Sequence, residues 1–529
     1  MLTYFVIIPI LIAVFLFIFS GARSARIIAM AFQTAFAALS FYLFTISRIE
    51  TVYTWVGNYQ AYLGIILRSD NMASVFILLT SIIFLFVTVY NINDRKSRTY
   101  WFLIFLLQAV LTGLFLTRDL FNTFVLIEVG TLLITTLLMY DRVRRNMFAG
   151  MSYLMINIVV MQFYLFGIGY LYMLTGTLDM VRAAYVISTL DQADLILPYA
   201  LVMTALASKC SLLPLLSWLP KVNSISGTLF TIAAIMSGLH IKSGVYMFIR
   251  FREIFEPIHG DEYFIVISII TGLCGVILSL AQKDIRLVLA YSTIAQIGLI
   301  MIGLNMDYEY AFYGSLFHIV NHALFKAALF MSAGMIISCY KISDINQIRG
   351  LWRLNKPVAI AMLLAILGII GMPMFNGSIS KYFMMEGATG LLEWAMIVIN
   401  LGTILICLKL SAVFFGQPSK IAYEKSLKKC RQISTLLIGG ICFILGIFGE
   451  AFKNYIFYLE AHIDALDYME KVGVFAASLA VGLLLTKYVI KDGSILKSLL
   501  HWDLNFKTVC MSVGAFFGIT ILVIGLVLG

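Results

Sequence analysis

A small set of side chains in this sequence has the chemistry to hold and pass protons, and each stands inside an apolar run. Glu128 ends the stretch Asp119-Leu-Phe-Asn-Thr-Phe-Val-Leu-Ile-Glu128, Lys209 ends Ala205-Leu-Ala-Ser-Lys209, and Lys242 ends Gly238-Leu-His-Ile-Lys242. His318, His322 and Lys326 recur at every fourth residue. On a helix that spacing drifts only ~40° per step, so all three share one face. Lys381 closes Gly377-Ser-Ile-Ser-Lys381. A lysine facing a carboxylate binds or releases a proton as their separation changes, and imidazoles relay protons near neutral pH.

Plainer readings compete. Glu128 and Lys209 could form a static ion pair, Lys242 and Lys381 could snorkel to an interface, and His318 and His322 could make packing hydrogen bonds. His-x-x-x-His is also half of a zinc site, but no Glu follows the first His and no third ligand is evident. Lys326, one turn on, would repel a dication, so the metal reading is set aside. His240 stands two residues from Lys242, cannot share its face, and reads as a packing residue. His259, His462 and His501 fall in loops.

The elements that must position these groups follow from composition. The chain has 529 residues, 61% of them hydrophobic and only 12% charged, with a mean hydropathy of +0.97. No water-soluble surface can be built from that, which excludes soluble enzymes, nucleic-acid binders and secreted disulfide domains. The fold class is all-α, a polytopic membrane protein with about sixteen transmembrane helices at ~20 residues each. The first run, Met1 to Ser20, lacks a basic leader and reads as a retained helix. Seven scattered cysteines show no Cys-x-x-Cys spacing, and no flavin, haem or cluster motif occurs, so no cofactor or metal is expected. Burying an ionised side chain at bilayer depth costs ~3 kcal/mol or more, which makes every intramembrane charge a functional candidate.

The net charge of +10 resides in loops. Alternate connections carry Arg23 and Arg26; Arg95, Lys96 and Arg98; Arg142, Arg144 and Arg145; Lys283 and Arg286; Lys341, Arg349, Arg353 and Lys356; then Lys420, Lys425, Lys428, Lys429 and Arg431. By the positive-inside rule this set is cytoplasmic and both termini lie outside a cell membrane. Two runs are interrupted by helix breakers, one at Lys209-Cys-Ser-Leu-Leu-Pro214 and one at Gly368-Ile-Ile-Gly371-Met-Pro373, each with a lysine nearby. Paired broken helices at matching places point to inverted repeats with an ion path at the midplane. The expected division is residues 1–99 for the first three helices, 100–251 and 262–416 for two five-helix inverted repeats, and 433–529 for the last helices. The broken helices are then the seventh and twelfth.

The runs Gly64-Ile-Ile-Leu-Arg-Ser-Asp70, Asp119-Leu-Phe-Asn…Glu128, Pro214-Leu-Leu-Ser-Trp-Leu-Pro220, Lys242-Ser-Gly-Val-Tyr246, Gln282-Lys-Asp-Ile-Arg, His318…His322-Ala-Leu-Phe-Lys326 and Gly377-Ser-Ile-Ser-Lys381 resemble the antiporter-like subunits. That family covers the pumping subunits of respiratory NADH:quinone oxidoreductase (complex I), the large subunits of Mrp-type sodium/proton antiporters, and those of membrane-bound hydrogenases. The resemblance spans about residues 60–415, and Asp70 with Asp119-Leu-Phe-Asn looks most like the Mrp D-type subunit. It implies a proton path of Glu128, Lys209, Lys242, His318, His322, Lys326 and Lys381, with other integral membrane subunits as partners. H⁺ is the implied cargo, and a second cation such as Na⁺ stays open. Leu216 stands where many members carry His, and Lys221-Val-Asn-Ser-Ile-Ser replaces their His- and Pro-rich loop, so the proton inlet beside the seventh helix is left unassigned. Two alternatives remain: an ion-pumping subunit of a hydrogenase or complex I-like enzyme, and an inactive scaffold. The segment 491–503 is too short for the long lateral helix of the longest complex I pump subunit.

Overall fold

The computed structural model describes every residue except 20, 60–63, 95, 225–229, 418–426, 458–461, 489–504 and 529. Arg95, Lys420, Lys425, His501 and the segment 491–503 therefore lie outside the described residues. The helices in chain order are α1 (Tyr4–Phe19), α2 (Ala22–Ile49), α3 (Asn71–Asn91), α4 (Arg98–Leu116), α5 (Leu120–Leu138), α6 (Arg144–Thr175), α7 (Met180–Ile187) and α8 (Gln192–Lys209). Then come α9 (Trp218–Asn223), α10 (Phe230–Ile235), α11 (Ile241–Ile254), α12 (Asp261–Ala281), α13 (Ile285–Asn305), α14 (Glu309–Tyr340), α15 (Leu351–Leu354), α16 (Lys356–Ile370) and α17 (Asn376–Met384). The series ends with α18 (Gly390–Ser411), α19 (Lys429–Ile447), α20 (Gly449–Phe457), α21 (Ala465–Tyr488) and α22 (Phe506–Leu528). Among the described residues, 13 helices are long and apolar enough to cross a membrane, with α1 and α16 as shorter apolar helices. The chain is a multi-pass, helical membrane protein.

Helix starts fall where the sequence places a capping oxygen. Asp70 accepts from the Ala73 N–H at 2.9 Å, Asp119 from Asn122 at 2.6 Å and Asp284 from Arg286 at 2.9 Å. Each satisfies a backbone donor that the first turn leaves without a partner. Between α2 and α3 the alternating stretch Val52–Trp55 pairs antiparallel with Ile66–Ser69, in the register Val52↔Ser69 to Trp55↔Ile66. This hairpin, built from β-branched and aromatic residues, was not foreseen from the apolar runs, because it lies between two of them.

The chain divides into two compact units. One holds Met1–Gly227, Leu239–Tyr263 and Leu504–Gly529; the other holds Thr228–Gly238 and Phe264–Asp503. In the first, α1 packs on α4, α2 on α3 and α6 on α8. The last helix, α22, joins this unit, with Phe517 edge-on to Phe163 and Thr520 bonded to the Tyr263 hydroxyl at 2.9 Å. In the second, α13 and α14 pack together, α14 also holds α16 and α17, and α19 covers α16. α13 and α14 are buried almost throughout, so they can carry polar side chains that lipid would exclude.

The same order of elements occurs in both units. α6 and α14 each have 32 residues. Before α5, the Leu120 and Met180 N–H groups bond the Leu178 and Arg118 carbonyls at 2.8 Å. Before α13, the Ile285 and Ile345 N–H groups bond the Ser343 and Lys283 carbonyls at 2.9 Å. Every residue of the second set stands at one constant offset from its counterpart in the first.

An ion cluster ties α3, α5 and α11 within the first unit. Asp70 accepts from Arg118 at 2.6 Å and from Arg250 at 2.6 Å, and Arg250 also bonds the Tyr246 hydroxyl at 2.9 Å. Both arginine side chains are buried. Burial alone would raise the Asp70 carboxyl, but Arg250 and Arg118 outweigh it and hold it at about 2, below the usual 3.8. The depressed value means that the cluster's contribution is complete above the usual carboxylate range and is lost as pH falls toward about 2. Asp70→Asn removes the nearest counter-charge of both guanidinium groups, leaving them the more exposed Glu253 at 3.4 Å from Arg250 and 4.0 Å from Arg118, and is expected to cost about 3 kcal/mol. Thermal denaturation of the purified variant measures this; an unchanged midpoint would show that the cluster does not hold the unit together.

Candidate functional site

Each unit contains a broken helix with a buried lysine at the break. In the first, α8 stops at Lys209, the chain turns through Ser211 at a φ of 55°, and helix resumes at Trp218. In the second, α16 stops at Ile370, Gly371 and Met374 adopt φ values of 81° and 70°, and helix resumes at Asn376. Left-handed backbone at a non-glycine residue is costly, and at both breaks one is kept.

Lys209 is the last residue of α8 and is buried. Its Nζ donates to Asn157 Oδ1 on α6 at 2.6 Å and to Thr131 Oγ1 on α5 at 3.1 Å. Glu128 lies one turn before Thr131, half-buried, and Lys209 is within reach of its charge. The ion pair that the sequence suggests is therefore not a direct contact: neutral oxygens of α5 and α6 hold the ammonium, and the Glu128 Oε1 has no hydrogen-bond partner among the described residues. Lys242 is fully buried on α11 rather than snorkelling.

His240 precedes α11. Its Nε2 meets the Tyr153 hydroxyl at 2.8 Å, its ring packs edge-on to Trp218, and it lines the same small cavity as Lys209, Ser243 and Gly244. The packing role read from sequence thus places it beside the lysine. Gly244 makes this approach possible, since a Cβ there would lie 2.9 Å from the Lys209 carbonyl carbon.

In the second unit, His318, His322 and Lys326 are buried on α14. His318 Nε2 meets Gln296 Oε1 at 3.0 Å and its Nδ1 meets Ser380 Oγ at 2.8 Å. Gln296 in turn donates to Thr403 Oγ1 at 2.8 Å, which turns its oxygen toward the imidazole. The Ser380 hydroxyl has a second acceptor, the Asn376 carbonyl at 3.1 Å. Neutral His318 can accept the Ser380 proton at Nδ1. Protonated His318 can donate to Ser380 while that hydroxyl turns to Asn376, so both states fit without moving a heavy atom. The His322 ring lies 6.3 Å from that of His318 and stands edge-on to Phe325.

Lys326 Nζ donates to Ser292 Oγ at 2.5 Å and to the Leu289 carbonyl at 3.0 Å. Lys381 Nζ donates to Asn400 Oδ1 and to the Ile369 carbonyl, both at 2.6 Å. Ile369 is in the last turn of α16, where carbonyls lack helical partners and the helix end favours a cation. The structure thus brings Glu128 and Lys209 into one cluster, and His318, His322, Lys326 and Lys381 into one unit.

Sequence reading missed the acceptors: Thr131, Asn157, Ser292, Gln296, Ser380 and Asn400. A signal did exist in the lone amides of Met155-Ile-Asn-Ile, Ile294-Ala-Gln-Ile and Val398-Ile-Asn-Leu, because a buried amide also needs a partner. The tight contact at Gly244 yields a test. Gly244→Ala pushes α11 off Lys209 and is expected to destabilise by about 1–3 kcal/mol; thermal denaturation checks it, and a neutral variant would show that the helix yields freely.

Comparisons with known proteins bear on the same residues. The family described as NADH:quinone oxidoreductase/Mrp antiporter, TM, matches residues 117–407. The D-type Na(+)/H(+) antiporter subunit of Alkalihalophilus pseudofirmus is 27% identical over 489 residues, 88% of this chain and 98% of that protein. The N-type NADH-quinone oxidoreductase subunit of Desulforudis audaxviator is 30% identical over 395 residues, 72% of this chain and 77% of that protein. A chain in the structure of the Mrp complex from Dietzia sp. DQ12-45-1b shares the fold, with a TM-score of 0.80, 22% identity, and coverage of 92% of this chain and 98% of that one. The matched stretch takes in more than half of the sequence and every position from Glu128 to Lys381, and the chain belongs to the NADH:quinone oxidoreductase/Mrp antiporter transmembrane family.

Proposed function

We propose that this chain is the proton-translocating, antiporter-like subunit of a multisubunit complex in the cell membrane, with both termini on the outer face. Glu128 is the electrostatic gate and Lys209 the carrier whose hold on its proton Glu128 modulates. Lys242 in one unit and His318, His322 and Lys326 in the other take the proton onward, and Lys381 hands it out. The matching elements around α5–α9 and α13–α17, with their constant offset, support reading residues 100–251 and 262–416 as two copies of one repeat.

One observation carries this reading. Each of the three buried ammonium groups at Lys209, Lys326 and Lys381 is held by neutral oxygens and not by a carboxylate. A buried lysine locked to a carboxylate is a structural pair that resists losing its proton. A lysine on amide, hydroxyl and carbonyl oxygens is held in place while its proton stays exchangeable.

Other integral membrane subunits are the expected partners, as the assemblies of the similar proteins suggest, and Na⁺ is the expected second ion if the complex works as its Mrp-type relatives are named. The 30% identity to an NADH-quinone oxidoreductase chain supports a second reading, a pump that draws its energy from redox partners. Mass spectrometry of the intact complex separates the two: hydrogenase or iron–sulfur subunits would favour the redox enzyme, and small membrane subunits alone would favour the antiporter.

In the assembled complex, Glu128→Ala or Lys209→Ala is expected to lower proton transport at least about tenfold. His318→Gln, which keeps hydrogen-bonding atoms but cannot accept a proton, is expected to do the same. Transport assays in proteoliposomes check both, and wild-type rates with normal assembly would reject the proposed path.

A further inference from the structure

α21 lies beyond the stretch matched by the family, yet it walls the pocket that contains Lys381. Lys381 and Asn400 line that pocket together with Ser378, Glu393, Tyr468 and Lys471. Lys381 is buried, whereas Glu393, in the first turn of α18, is exposed. The pocket therefore joins a buried amine to a carboxylate that meets solvent.

Specific contacts fasten α21 over it. The Tyr468 hydroxyl meets Ser378 Oγ at 2.8 Å on α17. Lys471 Nζ donates to the Tyr382 carbonyl at 3.2 Å and sits 4.4 Å above the Tyr382 ring. Further along, α21 packs against α18. The charge of Lys471 also reaches Glu386, Asp467 and Glu393, so this lysine balances the acids around the pocket.

Resting on the proton path proposed above, we infer that this pocket is the outlet for Lys381, with Glu393 as the proton acceptor at its mouth and Lys471 as the positioning residue that holds α21 over it. In the step, an N–H bond of the Lys381 ammonium breaks and an O–H bond forms on the Glu393 carboxylate, by way of the Ser378 and Tyr468 hydroxyls and water between them. Lys381 is left as the neutral amine, and Glu393 then releases the proton to the outer solution. The ligand of the site is the hydrated proton, and no oxidant or second substrate takes part.

The test uses the assembled complex in proteoliposomes. Lys381→Gln is expected to abolish transport, Glu393→Gln and Lys471→Gln to lower it several-fold, and Lys471→Arg, which keeps the charge and a donor, to restore it. Ile397 lines the same pocket. Ile397→Cys is expected to react with a membrane-impermeant thiol reagent, above the background of the unsubstituted chain, and to lose transport on reaction. If Lys381→Gln is dead while Glu393→Gln and Lys471→Gln run at the wild-type rate, or if Cys at 397 stays inert, the outlet lies elsewhere and the inference falls. If Lys381→Gln itself transports normally, the proposed path falls with it. Should Lys471→Gln fail to assemble, Glu393→Gln and the thiol reaction decide.

Discussion

An ammonium group enclosed by apolar helices must find oxygen acceptors, and inside an intact helix each carbonyl already holds the N–H one turn on, so an added donor must share it, as Lys326 shares the Leu289 carbonyl of α13. Breaking a helix releases carbonyls at its end and leaves the negative pole of the helix facing the gap. Lys209 is itself the last residue of α8, and Lys381 reaches back to Ile369 at the end of α16. Neighbouring helices supply the side-chain acceptors, Thr131 from α5 and Asn157 from α6 for Lys209, and Asn400 from α18 for Lys381. The turn residues follow from the same need: Gly371 at a φ of 81° bends the chain away, and Gly244 lets α11 close on Lys209.

The Asp70 cluster shows the other use of buried charge. There a carboxylate contacts two guanidinium groups at 2.6 Å, and arginine does not give up its proton in proteins. Such a cluster fixes α3 and α11 against each other and offers no exchangeable site. The lysines sit on neutral oxygens at 2.5–3.1 Å. Hydrogen bonds in the same range thus serve opposite ends, and what separates them is whether the acceptor is charged and whether the donor can be deprotonated.

Much of this was legible in the sequence, because the cost of placing Lys or Glu in an apolar run makes each one conspicuous. Glu128, Lys209, Lys326 and Lys381 were identifiable for that reason, and so were the breaks, which Pro214, Gly371 and Pro373 announce. The acceptors were not, since a lone Asn157 or Gln296 perturbs a hydrophobic run too little to stand out. The oxygens that hold Lys209 were hidden for a related reason: spacing along a chain shows which charges attract, while the oxygen that wins the contact is set by how α5, α6 and α8 pack. The hairpin at Val52–Trp55 and the short helices α7, α9 and α20 lie between or beside the apolar runs, where hydropathy says least.

The two copies of the proposed repeat differ at the positions that matter. Tyr153 and Asn157 are the tenth and fourteenth residues of α6, and His318 and His322 are the tenth and fourteenth of α14, a helix of the same 32-residue length. Thr131 and Gln296 occupy the twelfth positions of α5 and α13, while Glu128 and Thr293 occupy the ninth. On one frame, then, the first copy bonds its lysine to neutral oxygens with a carboxylate one turn away, and the second has a hydroxyl at the carboxylate's position and introduces imidazoles. A carboxylate draws a proton toward its neighbourhood, whereas an imidazole bonded at both nitrogens takes one and passes it on. Under the proposed path, two copies furnished this way do not perform the same half-reaction twice: the first loads a proton and the second conducts it.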